Sequence, residues 1–507
     1  MVQLSSNSRI AKNTLALYGR MLFNLVVSLY TSRVVLHVLG VADFGIYQLV
    51  AGIVSMFTFI NGSLAGATSR FLAYELGLDN VARLQRTFSA ILNVHLLVAI
   101  VIFLLSEAIG NWLIFHYLVI PHERLLSALV VFQLSVIMTM VSIVQIPYNS
   151  AIIAHEKMTA FAYIGVTDTC FKLLACIVLC LLALDKLIVY AVLLLMFSVI
   201  ILLAYYTYCR RHFVECRCRW SKDWEIARPI LMFSGWDLFG NFSLIVKNQG
   251  VNIFLNLFFG IVLNAACGFA NTVYGAVVGF ANNFMLSVRP AITKAYAMGD
   301  IDRMKALVID GSKYSFCLML LLSLPFFFEG DFILHLWLKT PPEWTSILCK
   351  LQLLVLLIAV VFFPVKYGIY ATGKNKLISV LDGVSVLAIL PLTYWGFKMG
   401  WQPYTPFWLM ICVEFIKSSL YPYLLKRNIK AFSILEFYKL SVGRCLILFG
   451  VVIFFSWMLF RQFEGESWTR FLSMLTLPSM FIIAVTYVYM IDKSLRQKIN
   501  VKIRHFL

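Results

Sequence analysis

The chain has 507 residues, of which 61% are apolar and only 13% are charged, and its formal net charge is +18. Soluble proteins are nearer to about 45–50% apolar and about 25% charged. With a mean hydropathy of +0.87, the composition excludes a cytosolic enzyme, a secreted domain and a nucleic-acid-binding protein. It indicates a helical protein that crosses a membrane many times.

Apolar runs long enough to span a bilayer occur along the whole chain. A helix needs about 20 such residues to cross the hydrocarbon core. Fourteen runs qualify, and the first is too long for a cleaved signal peptide. They cover residues 13–38, 44–68, 88–109, 125–147, 159–183, 187–208, 229–258, 262–287, 313–334, 347–371, 377–397, 405–425, 440–460 and 469–491. We therefore predict an all-α polytopic membrane protein with about 14 transmembrane helices.

Basic residues are distributed unevenly between the two sides. With the N-terminus inside, the inner segments carry 27 Lys and Arg residues and the outer segments carry five. The positive-inside rule then predicts that both termini are cytoplasmic. Most of the positive charge is therefore a topology signal that also attracts anionic lipid headgroups. The 11 cysteines are scattered, which predicts free thiols rather than disulfides or a metal site.

The chain contains an internal repeat with an offset of about 220 residues. Three short segments recur in order, namely 147–157 with 364–374, 74–77 with 296–299, and 36–40 with 256–260. Each repeat unit holds six spans, so the two units have the same orientation and form parallel repeats. Transporters built in this way place their substrate at the interface between the repeats.

The repeat predicts two pseudo-symmetric six-helix bundles and two additional helices. The predicted regions are an N-terminal bundle, 1–208, a basic cytoplasmic linker, 209–228, a C-terminal bundle, 229–425, and two further transmembrane helices with a basic cytoplasmic tail, 426–507.

Polar side chains recur at helical spacing on the first helix of each predicted bundle and on the second helix of the C-terminal bundle. The first span carries Arg20, Asn24, Ser28 and Thr31; the seventh carries Asp237, Asn241, Lys247, Asn248, Asn252 and Asn256; the eighth carries Asn264, Asn271, Gly275 and Asn282. A polar stripe on an apolar helix faces protein or water rather than lipid. We predict a hydrated cavity lined by both bundles, with interhelical hydrogen bonding as the alternative.

Ionisable residues within the spans suggest the charge of the substrate. The candidate cavity cations are Arg20, Arg33, Lys172 and Lys247, and the candidate carboxylates are Asp168 and Asp237, either of which could bind a coupling ion. Asp168 and Lys172 stand at i, i+4, and Glu414 and Lys417 at i, i+3, so each pair can neutralise itself. Arg33 can instead extend to the outer surface. Arg20 and Lys247 lack such a neighbour, and arginine suits phosphate. We predict an anionic substrate.

Two sequence segments resemble a known family. The run Gly40-Val-Ala-Asp-Phe-Gly45-Ile-Tyr47, the turn from Pro147-Tyr-Asn to Ala154-His-Glu-Lys157, and the arrangement of six, six and two spans resemble polysaccharide-type flippases. These belong to the multidrug/oligosaccharidyl-lipid/polysaccharide (MOP) exporter superfamily, and O-antigen (Wzx-type) flippases are the most similar members. The resemblance covers essentially the whole chain.

The resemblance implies a V-shaped fold of two bundles in the bacterial cytoplasmic (inner) membrane. Its implied activity is to move an undecaprenyl-pyrophosphate-linked oligosaccharide from the inner to the outer leaflet by alternating access, for lipopolysaccharide or other surface polysaccharide. The implied cationic residues are Arg20 and Lys247. We expect no cofactor, coupling to an H⁺ or Na⁺ gradient, and as partners the lipid-linked oligosaccharide, membrane lipids and other polysaccharide-assembly proteins.

Two other function classes remain as alternatives. A drug or cation antiporter of the same superfamily would have an acidic cleft and twelve spans. A polysaccharide polymerase or ligase would need a large outer loop with catalytic Arg or His, whereas the longest outer segment is 110–124. The sequence has no Gly-rich phosphate loop and no nucleophile motif, so we predict that the protein is not an enzyme.

Overall fold

The computed structural model describes residues 13–27, 30–31, 34–35, 38–39, 43, 46–47, 59–116, 121–181, 185–217, 223–463, 467–491 and 496. These residues are mainly helical and include no β-strand. Ten helical segments among them are long and apolar enough to cross a membrane. The predicted class, an all-α polytopic membrane protein, is confirmed.

From the third predicted span onward, each span contains at least one helix. They are α1 (13–27), α2 (Phe59–Gly77), α3 (Val81–His116), α4 (Leu125–Ala154), α5 (Met158–Leu181), α6 (Lys186–His212), α7 (Trp224–Phe259), α8 (Ile261–Ala297), α9 (Ile301–Leu338), α10 (Thr345–Ala371), α11 (Lys376–Leu387), α12 (Ile389–Lys398), α13 (Thr405–Asn428), α14 (Ile434–Phe437), α15 (Arg444–Phe460) and α16 (Trp468–Val485). Two π-helical turns, Tyr438–Gly443 and Thr486–Met490, extend the last two spans.

Several helices are longer than the predicted spans, and one span is divided. α9 has 38 residues, about 57 Å at 1.5 Å per residue, which exceeds the hydrocarbon thickness of about 30 Å. Hydropathy locates only the lipid-crossing part, whereas capping sets where the helix starts, here at Asp300, which accepts a hydrogen bond from the Arg303 amide. The eleventh predicted span consists of α11 and α12, which meet at Ala388.

The repeat inferred from the sequence is visible in the turns that follow equivalent helices. α4 ends at Ala154 and α10 ends at Ala371. Two residues after each of these helix ends, the backbone takes a positive φ, 59° at Glu156 and 77° at Gly373. A left-handed residue after a helix is a common way to end it.

The starts of α3 and α9 repeat in the same way. Asn80 Oδ1 accepts a hydrogen bond from the Arg83 amide at 3.0 Å, and Asp300 Oδ1 accepts one from the Arg303 amide at 3.1 Å. The two capping residues are about 220 positions apart. Equivalent caps at the repeat offset show that this part of the repeat includes backbone conformation as well as sequence.

The chain divides into two compact units. The first comprises Met1–Leu238 with Thr293–Gly299, and the second comprises Phe239–Ile292 with Asp300–Leu507. In the first unit, α4 packs against α2, α3 and α6; in the second, α10 packs against α9 and α13, while α15 and α16 pack against α9. The predicted boundaries of the bundles stay a prediction.

The predicted basic linker, 209–228, falls within the first unit. Glu215 is buried and accepts a hydrogen bond from His155 Nε2 at 2.5 Å. The His155 ring also stacks on Phe213 with 4.0 Å between the ring centroids. These contacts attach the start of the segment to the α4–α5 turn.

Candidate functional site

Arg20 lies between α1 and α5 in the first unit. Its guanidinium carbon is 4.3 Å from the centroid of the Phe161 ring, a cation–π contact. A Cβ atom at Gly165 would lie 2.7 Å from Arg20 Cδ. Phe161 and Gly165 are four residues apart on α5 and therefore lie on one face of it. Together they provide an aromatic surface and the space that the arginine occupies.

The hydrogen bonding of Arg20 is incomplete. Its Nε atom is buried and has no hydrogen-bond partner within the described part of the chain. Asp168 is near enough to interact electrostatically with Arg20, but it forms an ion pair with Lys172 at 2.7 Å. Asn24 accepts a hydrogen bond from Thr169 at 2.7 Å. Arg20, Lys172 and Asp168 together leave one positive charge in excess.

Lys247 is the corresponding candidate cation of the second unit. Its Nζ atom contacts Met410 Sδ at 3.6 Å. Of the carboxylates in the described ranges, none lies within the 4.0 Å ion-pair distance of Lys247. Glu414 and Lys417 are near enough to interact with it electrostatically, and they pair with each other at 2.9 Å. Glu414 and Lys417 thus form the pair that their spacing predicts.

A second ionic group extends from this pair, and sequence reasoning missed it. Lys366 on α10 pairs with Asp382 on α11 at 2.6 Å. Lys417 Nζ is 4.0 Å from Asp382, and the Tyr421 hydroxyl donates a hydrogen bond to it. These residues lie on three helices, so no spacing along one helix reveals them. The available signal was that Asp382 is the only charged residue in the eleventh predicted span.

The ionic group around Lys247 leaves one positive charge in excess. Lys247, Lys366 and Lys417 provide three cations, and Asp382 and Glu414 provide two carboxylates. The Glu414 carboxylate also accepts a hydrogen bond from a serine at 2.7 Å. Both carboxylates are therefore paired with lysines, and Lys247 is the one cation of these three that has no ion pair within the described residues.

Two of the predicted lining residues form hydrogen bonds between helices. Gln352 Nε2 on α10 donates to Asn271 Oδ1 at 2.9 Å. Asn271 Nδ2 donates to Cys267 Sγ at 3.7 Å, and Cys267 Sγ donates to Asn252 Oδ1 at 3.3 Å. Asn252 and Asn271 thus link α7, α8 and α10. Such interhelical hydrogen bonding is the alternative to a hydrated cavity that the sequence left open. Gln352 Oε1 is buried and has no partner among the residues described.

The remaining predicted site residues have different environments. Asn248 is exposed, whereas Asp237 and Asn241 are partly buried and each has an interaction partner. Asp237 belongs to the first unit, and Asn241 to the second. Arg33 lies outside the described residues, as does Ser28.

Glu107 is a further carboxylate that the sequence analysis did not select. It lies on α3, and its Oε2 atom accepts hydrogen bonds from Asn111 at 2.9 Å and Gln133 at 3.0 Å. Its Oε1 atom is buried without a hydrogen-bond partner in the described ranges. Glu107 therefore joins Asp168 and Asp237 as a candidate to bind a coupling proton. The described residues hold no cluster of three His, Cys, Asp or Glu side chains placed to bind a metal.

No family model and no curated protein matches the sequence. The structure is similar to an outward-facing multidrug resistance MATE family transporter of the MOP superfamily, with a TM-score of 0.68, 13% identity, and coverage of 84% of this chain and 96% of that one. It is also similar to a MOP superfamily transporter from Pyrococcus furiosus with a TM-score of 0.65, 13% identity, and coverage of 83% and 96%.

A third similar structure is a mutant of the Vibrio cholerae MATE transporter VcmN, with a TM-score of 0.62, 14% identity, and coverage of 85% and 99%. The three solved chains are thus matched over nearly their whole length. The chain therefore has the fold of the MATE transporters.

Proposed function

We propose that the chain is a transporter that moves an anionic, lipid-linked oligosaccharide from the inner to the outer leaflet of a bacterial cytoplasmic membrane, with both termini cytoplasmic. The anchor of this substrate is undecaprenyl pyrophosphate, and its glycan is used for lipopolysaccharide or another surface polysaccharide. The proposal rests on the environment of Arg20. Its guanidinium is held against Phe161 at 4.3 Å while its buried Nε has no hydrogen-bond partner in the described part of the chain.

The ionic groups around Arg20 and Lys247 support an anionic substrate. Asp168, Asp382 and Glu414 are all paired with lysines, and each of the two groups keeps one cation in excess. A pyrophosphate group can accept two parallel hydrogen bonds from one guanidinium. Such charge-assisted bonds are strong where water is scarce. Arg20 is therefore suited to bind the pyrophosphate directly, and Lys247 to attract it as a point charge.

The polar groups near Arg20 support a sugar-containing substrate. Asn24 and Thr169 form a hydrogen-bonded amide and hydroxyl pair at 2.7 Å. Amides and hydroxyls both donate and accept hydrogen bonds, as sugar hydroxyls do. In the proposed mechanism the glycan crosses beside such groups during alternating access, while the prenyl chain stays in lipid.

A drug or cation antiporter is the second candidate, and Glu107 is the observation that favours it. This carboxylate receives two amide hydrogen bonds and has no lysine or arginine within ion-pair distance in the described part of the chain. Two of the structures with this fold are described as MATE transporters, one of them a multidrug resistance transporter. The transporter from Pyrococcus furiosus, however, is described as having a binding pocket of reversed polarity. The fold is therefore compatible with substrates of either charge.

The decisive experiment measures flipping by the purified full-length chain in proteoliposomes. A fluorescent undecaprenyl-pyrophosphate oligosaccharide is incorporated, and an impermeant reductant bleaches the molecules in the outer leaflet. We expect Arg20→Ala to slow flipping by about 10- to 100-fold, because a hydrogen bond to a charged group contributes about 1.5–3 kcal/mol. Arg20→Lys should be intermediate, because it keeps the charge and loses the planar donor geometry.

Arg210→Ala is the matched control, because Arg210 is an exposed arginine of the same unit at the end of α6. Unchanged flipping by Arg20→Ala would refute the proposed role of Arg20. A wild-type protein that expels cationic dyes but flips no lipid-linked oligosaccharide would establish the antiporter instead.

A further inference from the structure

A basic pocket lies at the ends of three helices in the second unit. Its volume is about 350 Å³, and it is lined by residues from the end of α10, the start of α11 and the end of α13. Three of its lining residues are the exposed cations Lys374, Lys376 and Arg427. The lining includes no carboxylate. The positive-inside rule predicts that this end of the unit faces the cytoplasm.

The rest of the pocket lining is mostly apolar. Ile369, Leu377 and Leu424 contribute to the lining together with Ile378. A soluble anion would require only the cations. An anionic lipid would use both kinds of lining residue, because its phosphate would meet the cations and its glycerol and first acyl carbons would meet the apolar side chains. The cytoplasmic leaflet is also where anionic headgroups meet juxtamembrane Lys and Arg.

The repeat provides a comparison with the equivalent turn of the first unit. There, Glu156 takes the left-handed position and pairs with Lys294 at 3.1 Å. In the second unit the equivalent position is Gly373, with a φ of 77°. The turn of the second unit therefore lacks the carboxylate that neutralises a lysine in the first, although Lys157 and Lys374 occupy the same place in the repeat.

Neighbouring groups connect the segments that line the pocket and add positive potential. The Asn428 side chain donates to Thr372 Oγ1 at 3.3 Å, which ties the end of α13 to the turn after α10. The first residues of α11, including Lys376 and Leu377, line the pocket, and no side chain caps that helix. Uncapped amides at a helix start attract anions, and here they add to three side-chain charges.

We infer that this pocket binds the phosphate of an anionic phospholipid headgroup on the cytoplasmic face. The lipid is a ligand of the second unit and is separate from the proposed transported substrate. Lys374 and Arg427 contact the phosphate, and Leu377 and Leu424 contact the start of the acyl chains. The inference does not depend on the identity of the transported substrate.

The test is native mass spectrometry of the full-length protein with defined lipids. Phosphatidylglycerol and phosphatidylcholine are titrated onto the wild type and onto Lys374→Gln/Arg427→Gln. Each cation near a membrane surface contributes about 1 kcal/mol, so loss of two should raise the apparent Kd for phosphatidylglycerol by about 10- to 30-fold. The matched control is Lys339→Gln/Lys398→Gln, which removes two lysines from the predicted outer loops and should change the Kd less than about twofold.

Each alternative outcome has a defined meaning. Equal affinity of the wild type and Lys374→Gln/Arg427→Gln for phosphatidylglycerol would overturn the inference, as would equal affinity of the wild type for phosphatidylcholine. A parallel experiment measures the binding of inorganic phosphate to the protein in lipid-free detergent. Binding of phosphate as tight as that of phosphatidylglycerol, lost in the same variant, would assign the pocket to a soluble phosphate and overturn the lipid assignment. Size-exclusion profiles that match the wild type exclude misfolding as the cause.

Discussion

A buried ion pair joins α16 to α9, and α15 packs against both of these helices. Arg470 on α16 donates from Nε and Nη2 to the two carboxylate oxygens of Glu329, at 2.7 and 2.8 Å. The side chains are 9% and 1% exposed, respectively. Removing one partner of such a pair leaves a buried charge and costs about 3–5 kcal/mol. We predict that Glu329→Gln or Arg470→Gln destabilises the docking of α15 and α16 by this amount.

Cysteine reactivity can measure this docking locally. Cys445 on α15 and Cys317 on α9 are 2% and 7% exposed, and Cys349 on α10 is 1% exposed. If α15 and α16 open as a unit, a loss of about 3–5 kcal/mol raises the open fraction by roughly 150- to 5,000-fold. Alkylation of Cys445 and Cys317 should accelerate accordingly, whereas Cys349 should react at the wild-type rate.

The double variant Glu329→Gln/Arg470→Gln provides the control, because two amides can form a neutral hydrogen bond in place of the ion pair. It should lose less docking free energy than the sum of the two single variants. If both single variants label Cys445 at the wild-type rate, the ion pair does not hold the helices, and the reasoning from burial is wrong. Equal acceleration at Cys349 would instead mean that the whole unit unfolds.

Three further outcomes follow from the sites. Asp382→Asn should lower thermal stability by about 3 kcal/mol or more, because Lys366 and Lys417 lose their shared carboxylate; an unchanged melting temperature would contradict this. Gly165→Ala should displace the Arg20 guanidinium and slow flipping at unchanged stability, whereas Gly19→Ala, which meets nothing within 4 Å, should flip at the wild-type rate. Glu107→Gln should abolish acceleration of transport by a proton gradient while exchange without a gradient persists; acceleration equal to the wild type would exclude Glu107 as the coupling group.

Hydropathy predicted the helices well because lipid imposes a uniform requirement on every span. Within the described residues, ten of the predicted spans correspond to helices that meet the length and hydropathy requirement. The requirement concerns only the hydrocarbon region, so it does not give the full length of α9 or the break at Ala388. Those features depend on helix capping and side-chain packing, and the hydropathy of a segment reports neither of them.

Side-chain partners were predictable only when both lie on one helix. The pairs Asp168–Lys172 and Glu414–Lys417 were visible as i, i+4 and i, i+3 spacings, and both form. The pairs Lys366–Asp382 and Glu329–Arg470 join different helices, and a single sequence carries no signal for such contacts.

The repeat constrains backbone turns more closely than it constrains charge. The capping residues Asn80 and Asp300 are equivalent at the offset of about 220 residues, but the position equivalent to Arg20 is Gly240. The two candidate cations therefore stand at positions that are not equivalent in the repeat, and they are different chemical groups. Arg20 is a guanidinium stacked on an aromatic ring, whereas Lys247 is an ammonium beside a thioether. Since only the guanidinium can bind two phosphate oxygens in parallel, Arg20→Lys should impair flipping more than Lys247→Arg does.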